Sequence, residues 1–317
     1  MNQQQSKKYM VKCTFEALIF ITGLSLTTAC ASKTPYSIRP KVTETQEFKV
    51  DQDSPNRLAN LSYEQLIAKG DAYLQNDNHQ LAKLHYQKAF EKEPKSIAAI
   101  AGISNTLFQE GKVNEAANML DAALESAPNN VSALVLLGIA TRQQGNLDSS
   151  LARLTKAYEL APQDPKVLTE LAITNDYIGQ ERLTYAESLY KKVVQIKPNS
   201  AAAHNNLGFN YLLQGRQPDA IKSLSRALAL APDNDRTKNN LGAAYLLAMQ
   251  PEKAIKLFQG SVGLAASYNN LGYIHMTRGE FRAAEQAFKK ALQLNPSFYV
   301  RAQQNLDILE QMNNNAH

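Results

Sequence analysis

Residues 63–96 read YEQLIAKGDAYLQNDNHQLAKLHYQKAFEKEPKS, and this stretch decides the fold. Small, aromatic and helix-ending residues stand at fixed intervals along it: Gly70, Tyr73, Ala82, Tyr86, Ala89 and Pro94. Small residues let two helices approach closely, and the aromatic rings fill the space beside that contact. The proline lies just past the second helix, which it cannot continue. The stretch therefore predicts two antiparallel helices.

The same spacing recurs along the chain, and proline shows it most simply: Pro94, Pro128, Pro162, Pro198, Pro232 and Pro296. The first four intervals are 34, 34, 36 and 34 residues, and the last is 64, close to two periods. A period of 34 is typical of tetratricopeptide repeats (TPRs), which the chain resembles over residues 61–313. The resemblance implies an all-α TPR solenoid of about seven helix-turn-helix repeats, forming a right-handed superhelix with a C-terminal capping helix.

Repeat boundaries follow from these positions. We predict repeats near residues 63–96, 97–130, 131–164, 165–200, 201–234, 235–264 and 265–298, with a cap at 298–312. The fourth repeat holds two extra residues near 178–184, and the sixth lacks its proline and is about four residues short around 261–264. Glycine recurs in the inner turn, where it suits a left-handed helix end: Gly111, Gly145, Gly179, Gly215 and Gly279.

Residues 1–29 read as a signal peptide. Three lysines precede a short apolar run at 17–26, which is too short to span a bilayer. The segment resembles a bacterial lipoprotein signal, which implies that Cys30 is acylated, with palmitate among its chains. Ala31 after this cysteine then implies an outer-membrane protein facing the periplasm. The alternative is ordinary cleavage after Ala29, which would give a soluble periplasmic protein.

Residues 30–60 form the lipidated N-terminus and a flexible linker, because they show no apolar periodicity. As a flexible chain this linker would reach roughly 30 Å. The sequence holds two cysteines, Cys13 and Cys30, so the mature chain would keep neither a free thiol nor a disulfide. Removing three Lys and one Glu with the signal from 34 basic and 29 acidic residues leaves 31 and 28, a balance that does not favour nucleic-acid binding.

A tetrapeptide, Asn-Asn-Leu-Gly, recurs in three consecutive repeats and predicts the binding site. Its asparagines are Asn205, Asn206, Asn239, Asn240, Asn269 and Asn270. On a helical wheel they lie away from the leucine–glycine packing face, so packing does not require them. Asparagine costs roughly 0.6 kcal/mol relative to alanine in a helix, and its amide can pair with both polar groups of a peptide backbone. We therefore predict a groove that binds extended peptides, to which Phe209 and Tyr273 add apolar contact.

The alternative is that these asparagines form a solvated helix face that came with the repeat. Earlier repeats place other polar residues at first-helix positions, including Arg142, Glu170 and Asp176. The sequence predicts no catalytic residues, no cofactor and no metal site. Its five histidines are scattered without ligand spacing, and His275 occupies the aromatic slot of its repeat.

These features predict a non-enzymatic scaffold that binds envelope proteins. By length, lipid signal and repeat layout the chain resembles the Tad/Flp pilus assembly lipoproteins (TadD-like) and the pilotins of type IV pilus secretins. That resemblance implies a role in secretin assembly or localisation, with a secretin or another pilus component as partner. Two alternatives remain: an adaptor for peptidoglycan hydrolases or synthases, and a periplasmic chaperone-like peptide binder.

Overall fold

A computed structural model describes residues 58–257, 261–295 and 299–314. The predicted signal peptide, Cys30, most of the linker and Pro296 lie outside the described residues, as does the first residue of the predicted cap. Within the described residues the chain forms fifteen α-helices and no β-strand.

The helices follow one another with short connections. Their bounds are α1 Tyr63–Gln75, α2 His79–Lys92, α3 Ile97–Gln109, α4 Val113–Ser126, α5 Val131–Gln143, α6 Leu147–Leu160, α7 Pro165–Ile178, α8 Leu183–Ile196, α9 Ala201–Leu213, α10 Gln217–Leu230, α11 Asp235–Leu247, α12 Pro251–Lys256, α13 Ser261–Thr277, α14 Phe281–Leu294 and α15 Tyr299–Asn314. Odd-numbered helices up to α13 are the first helices of the repeats, and even-numbered ones are the second helices. The all-α solenoid predicted from the sequence is confirmed.

The first helices begin at side-chain caps that stand two residues after the repeat prolines. Ser96, Ser200 and Asn234 each accept a hydrogen bond from the backbone N–H three residues later. Asp164 caps α7 in the same way, and Pro165 then occupies the first turn, where no N–H is needed. The proline therefore ends one repeat, and the polar residue after it starts the next.

The inner turns adopt the left-handed conformation predicted for glycine. Gly111, Gly215 and Gly279 have φ of 73°, 77° and 74°. In the first and sixth repeats the same turn uses Asp77 and Met249, at φ of 56° and 57°. A methionine has a steric cost there that glycine avoids, so the sixth repeat contains a strained turn.

Two compact units divide at Thr141, inside α5. In the N-terminal unit, Tyr86 is buried, and its hydroxyl donates to the Asp71 carboxylate at 2.7 Å. A Cβ on Gly70 would lie 2.6 Å from the Tyr86 ring, so only glycine permits this approach. Packing of this kind joins α1 to α2 and α2 to α3.

In the C-terminal unit the same contact recurs: a Cβ on Gly208 would lie 2.6 Å from Leu224, and one on Gly272 would lie 2.5 Å from Phe288. The sixth repeat departs from the pattern. Its second helix, α12, has six residues, whereas most second helices have 14. The following helix, α13, begins at Ser261, four residues before the predicted start of the seventh repeat, and packs directly against α11.

The last helix, α15, packs against α14 and buries Ala302 and Leu309. Its other face carries Asp307, Glu310 and Gln311, which are exposed. This arrangement suits a cap on the apolar end of a stack of helix pairs.

Candidate peptide-binding site

The predicted asparagine pairs lie on the first helices α9, α11 and α13, and they differ in burial. Three of them are 5, 4 and 1% exposed: Asn205, Asn240 and Asn269. The other three are partly exposed: Asn206, Asn239 and Asn270. The expectation that packing leaves all six free does not hold for the buried three, because a wheel drawn for one helix does not show how close its neighbour lies.

A relay of side-chain amides crosses the three first helices. Asn270 on α13 donates from Nδ2 to Asn240 Oδ1 at 3.1 Å, and Asn240 on α11 donates to Asn205 Oδ1 at 3.0 Å. Asn205 on α9 then donates to Asn206 Oδ1 at 3.4 Å. We call these four residues the amide relay. Each buried asparagine thus has a partner, which offsets the cost of burying its amide.

Two residues that sequence reasoning missed pair with the predicted asparagines. The Thr237 hydroxyl donates to Asn205 Oδ1 at 3.3 Å. Asn305 on α15 donates to Asn269 Oδ1 at 2.9 Å, and both asparagines are buried. The available signal was spacing, because Asn305 follows Asn269 by 36 residues, close to one repeat.

Three asparagines keep polar groups for an external partner; we call them the exposed amide row. Among the described residues, the side chain of Asn239 makes no hydrogen bond, so its donors and its acceptor are both free. Asn206 uses only its oxygen and Asn270 only its nitrogen, which leaves a donor at one and an acceptor at the other. The row therefore presents donors and acceptors on three consecutive first helices.

The two predicted apolar contacts also differ. Phe209 is partly buried and packs against the core of the C-terminal unit. Tyr273 is 0% exposed, so it does not line an open groove as the sequence suggested. Its hydroxyl has no hydrogen-bond partner within the described part of the chain. The physical reason for its burial is that α13 turns this side chain into the same core cluster as Tyr177 and Leu213.

Polar first-helix residues of the third and fourth repeats are likewise used internally. Arg142, which is 8% exposed, forms an ion pair with Glu170 at 2.7 Å and donates to the Thr174 hydroxyl at 3.0 Å. Its guanidinium lies 5.6 Å from the centre of the Tyr177 ring. This cluster joins α5 to α7 and is part of the packing.

A buried carboxyl lies at the centre of the next interface. Asp176 on α7 accepts hydrogen bonds from the Tyr190 hydroxyl at 2.8 Å and from Asn210 Nδ2 at 2.7 Å. Burial raises the pKa of Asp176 to about 7, although both hydrogen bonds act to lower it. The carboxyl therefore changes its protonation near neutral pH.

Glu187 on α8 has the opposite environment. Burial raises its pKa, but donors from Lys191, Gln214 and Arg216 outweigh this and lower the pKa to about 2. Arg216 contacts the carboxylate at 2.9 Å and also lies 4.5 Å from the centre of the Tyr211 ring. Glu187 is thus ionised at neutral pH and joins α8 to the turn after α9.

Sequence profiles of one family match the chain at four places. Profiles described as tetratricopeptide repeat match residues 66–96, 102–165, 201–234 and 265–298, which together cover about half of the chain. The protein is a tetratricopeptide repeat protein. Members of this family are protein-interaction modules and are as a rule not catalytic.

Solved TPR structures share this fold at low sequence identity. A thermophilic TPR protein from Thermus thermophilus is 18% identical, with a TM-score of 0.53 over 58% of this chain and 100% of that one. A TPR protein from Parabacteroides merdae is 17% identical, with a TM-score of 0.52 over 78% and 98%. Pseudomonas aeruginosa PilF is 19% identical, with a TM-score of 0.53 over 69% and 97%. These likenesses show the fold alone.

No curated protein matches this TPR chain significantly. Across the residues that the structure describes, no three His, Cys, Asp or Glu side chains are grouped so that they could hold a metal ion. None of the described helices combines the length and the apolar character needed to cross a membrane. His275, in the aromatic slot of the seventh repeat, pairs with the Glu280 carboxylate.

Proposed function

We propose that this TPR protein is a non-enzymatic scaffold, anchored in the outer membrane through acylated Cys30, which binds extended segments of envelope proteins. The structure that it helps to assemble is a Tad/Flp pilus or a type IV pilus. Its partner would be the secretin of that pilus. The pilus assignment rests on the lipoprotein-like N-terminus and the repeat layout of the sequence, since the likeness to PilF extends to the fold alone.

The observation that carries the binding function is the exposed amide row. Asn206, Asn239 and Asn270 lie on consecutive first helices, and each keeps at least one polar group without a partner among the described residues. An extended peptide presents N–H and C=O groups at regular intervals, and side-chain amides can pair with both. Two of these amides, Asn206 and Asn270, are held in place by hydrogen bonds of the amide relay, which lowers the entropy cost of binding.

These amides would bind the backbone of a peptide largely independently of its side chains. Such binding would also suit a chaperone-like protein that holds unfolded chains. The two functions differ in stoichiometry. A secretin assembly factor would capture one envelope protein in fixed ratio, whereas a holder would bind many unrelated chains weakly.

A crosslinked pull-down from envelope fractions tests the proposal. It compares the wild type with Asn206→Ala/Asn239→Ala, which removes exposed amides and leaves the buried Asn240 intact. The matched control is Gln195→Ala/Gln286→Ala, which removes two exposed amides from the second helices α8 and α14. Circular dichroism confirms that each variant is folded.

We expect wild type and control to capture one secretin or pilus component, and the Asn206/Asn239 variant to lose it. Capture of murein enzymes instead would support the peptidoglycan alternative, and many weak partners would support the chaperone-like one. If all three proteins capture the same partners equally, the exposed amide row is only a solvated face.

A further inference from the structure

One side chain of the seventh repeat lies in a core cluster that also contains side chains of earlier repeats. Tyr273 on α13 shares a buried cluster with Tyr177 on α7, in the fourth repeat, and with Leu213 on α9, in the fifth. Burial, together with the nearby Tyr177 and Asp176, raises the pKa of the Tyr273 phenol. In a regular solenoid each repeat contacts only its neighbours. Here α13 reaches across three repeats.

A second contact fixes α13 in this position. Arg278, the residue after α13, donates from Nη2 to the backbone carbonyl of Leu212 near the end of α9. A Cβ on Gly215 would lie 3.3 Å from the same nitrogen, so the guanidinium lies against the turn that follows α9. The seventh repeat thus contacts the fifth directly, both through a ring and through a charge.

The short sixth repeat accounts for this reach. Its second helix, α12, has six residues, and α13 packs directly against α11. A full second helix would stand between these first helices and keep them apart. Because α12 is too short to separate them, α13 packs against the first helices α7 and α9. The face that it covers is the one that lines the ligand groove in TPR proteins, which this chain resembles.

The seat fits the ring of Tyr273 but not its hydroxyl. That hydroxyl is buried without a hydrogen-bond partner among the described residues. An unpaired buried hydroxyl is unfavourable, so α13 is held less firmly than a fully satisfied core helix would be. An incoming aromatic side chain without a hydroxyl would fill the same place with no such cost.

We propose that the seat formed by Tyr177, Leu213 and the partly buried Phe209 binds an aromatic side chain of the partner's extended segment, and that the Tyr273 ring occupies this seat until the partner's ring displaces it. The proposal rests on the proposed function and deepens it. It names the side-chain class that the partner must carry, and it makes the Tyr273 ring an internal competitor that a true ligand must exceed in affinity.

The test uses the chain's own α13 as the probe. A labelled synthetic peptide, GLAASYNNLGYIHMT (residues 263–277), is titrated against the full-length wild type and the Tyr273→Ala and Tyr273→Phe variants. Tyr273→Ala empties the seat, whereas Tyr273→Phe keeps the ring and is the matched control. A second peptide carrying Tyr273→Ala shows whether binding depends on the ring.

We expect the Tyr273→Ala protein to bind the wild-type peptide about tenfold or more tightly than the other two proteins, because its seat is populated in the open state. The alanine peptide should lose this gain. Equal affinity for all three proteins, or for both peptides, would overturn the proposal.

If Tyr273→Ala does not fold, Tyr273→Trp replaces it, since the sequence holds no tryptophan and the new indole reports on the seat alone. Its emission should shift to the red in a saturable way with the tyrosine peptide and not with the alanine peptide; no shift would overturn the proposal. If the peptide binds as expected but no envelope protein is captured, the proposed function is rejected and the aromatic seat stands. If an envelope protein is captured but the peptide does not bind as expected, only the seat is rejected.

Discussion

The side-chain amide of Asn240 donates a hydrogen bond of 3.0 Å to the side-chain oxygen of Asn205, and both residues are buried. This bond separates two kinds of asparagine that look identical in the repeated tetrapeptide. One kind joins neighbouring first helices and belongs to packing. The other kind, in the exposed amide row, keeps at least one polar group for a partner, although Asn206 and Asn270 also take part in the amide relay. The two kinds predict different results when they are replaced.

Replacing Asn240 with alanine should destabilise the protein. The change removes the closest donor of the buried Asn205, which keeps only Thr237 at 3.3 Å, and the acceptor of the partly exposed Asn270; each lost hydrogen bond costs about 0.5–1.5 kcal/mol. Asn239→Ala on the same helix removes no hydrogen bond among the described residues, so it should be neutral or stabilise by up to about 0.6 kcal/mol through helix propensity. Urea unfolding of both variants measures the difference. Equal midpoints would contradict the amide relay as a packing element.

The buried carboxyl of Asp176 predicts a loss of stability as pH rises. Its folded pKa of about 7 lies above the ordinary value of 3.8, so the native state holds a proton that the unfolded state releases. Stability is then fullest below the unfolded pKa and falls until pH passes the folded pKa, by on the order of 4 kcal/mol. Asp176→Asn should remove this fall between pH 5 and 8. The measurement is the melting temperature of the wild type and of Asp176→Asn as a function of pH across that range. If the two melting temperatures change with pH in the same way, the prediction is wrong.

The ion pair between Arg142 and Glu170 should matter more than an exposed one. Arg142→Ala leaves a mostly buried carboxylate unpaired, which costs about 3–5 kcal/mol. The pair between Lys289 and Glu285 is equally close at 2.6 Å, but its side chains are 61 and 45% exposed. Lys289→Ala should therefore cost under about 1 kcal/mol. Unfolding free energies of the two variants give the comparison, and similar losses would show that burial is not what strengthens the Arg142 pair.

Acylation of Cys30 is a separate prediction from the N-terminal sequence. Mass spectrometry of the mature N-terminal fragment should find Cys30 as the first residue, carrying acyl chains that include palmitate. Cys30→Ala should release the protein from outer-membrane fractions. An unmodified Cys30 at the mature N-terminus would support the soluble periplasmic alternative instead.

The fold class could be predicted because the contacts and helix caps that define a repeat lie within that repeat. Gly208 and Leu224 meet within one helix pair, so the spacing inside a single repeat predicts the contact. The caps at Ser200 and Asn234 are local as well. Sequence patterns that act within one helix pair and recur every 34 residues can be recognised without knowledge of the tertiary structure.

The site could be predicted only in part, because its contacts join different repeats. A helical wheel places Asn240 relative to its own helix axis but not relative to Asn205, which lies 35 residues away. The burial of Tyr273 depends on how far the short sixth repeat lets α13 approach α7 and α9. No local pattern in the sequence reports that distance.

Site-specific photocrosslinking is the most direct test of whether the first-helix amides bind one envelope partner. A photoreactive phenylalanine analogue is placed at Asn206 or Asn239, or at Gln195 on a second helix as the matched position, and intact cells are irradiated. We expect one crosslinked envelope protein, a pilus secretin or assembly component, from positions 206 and 239 and none from 195. Crosslinks from position 195 alone, or no protein crosslink from either first-helix position, would show that these amides do not bind the partner.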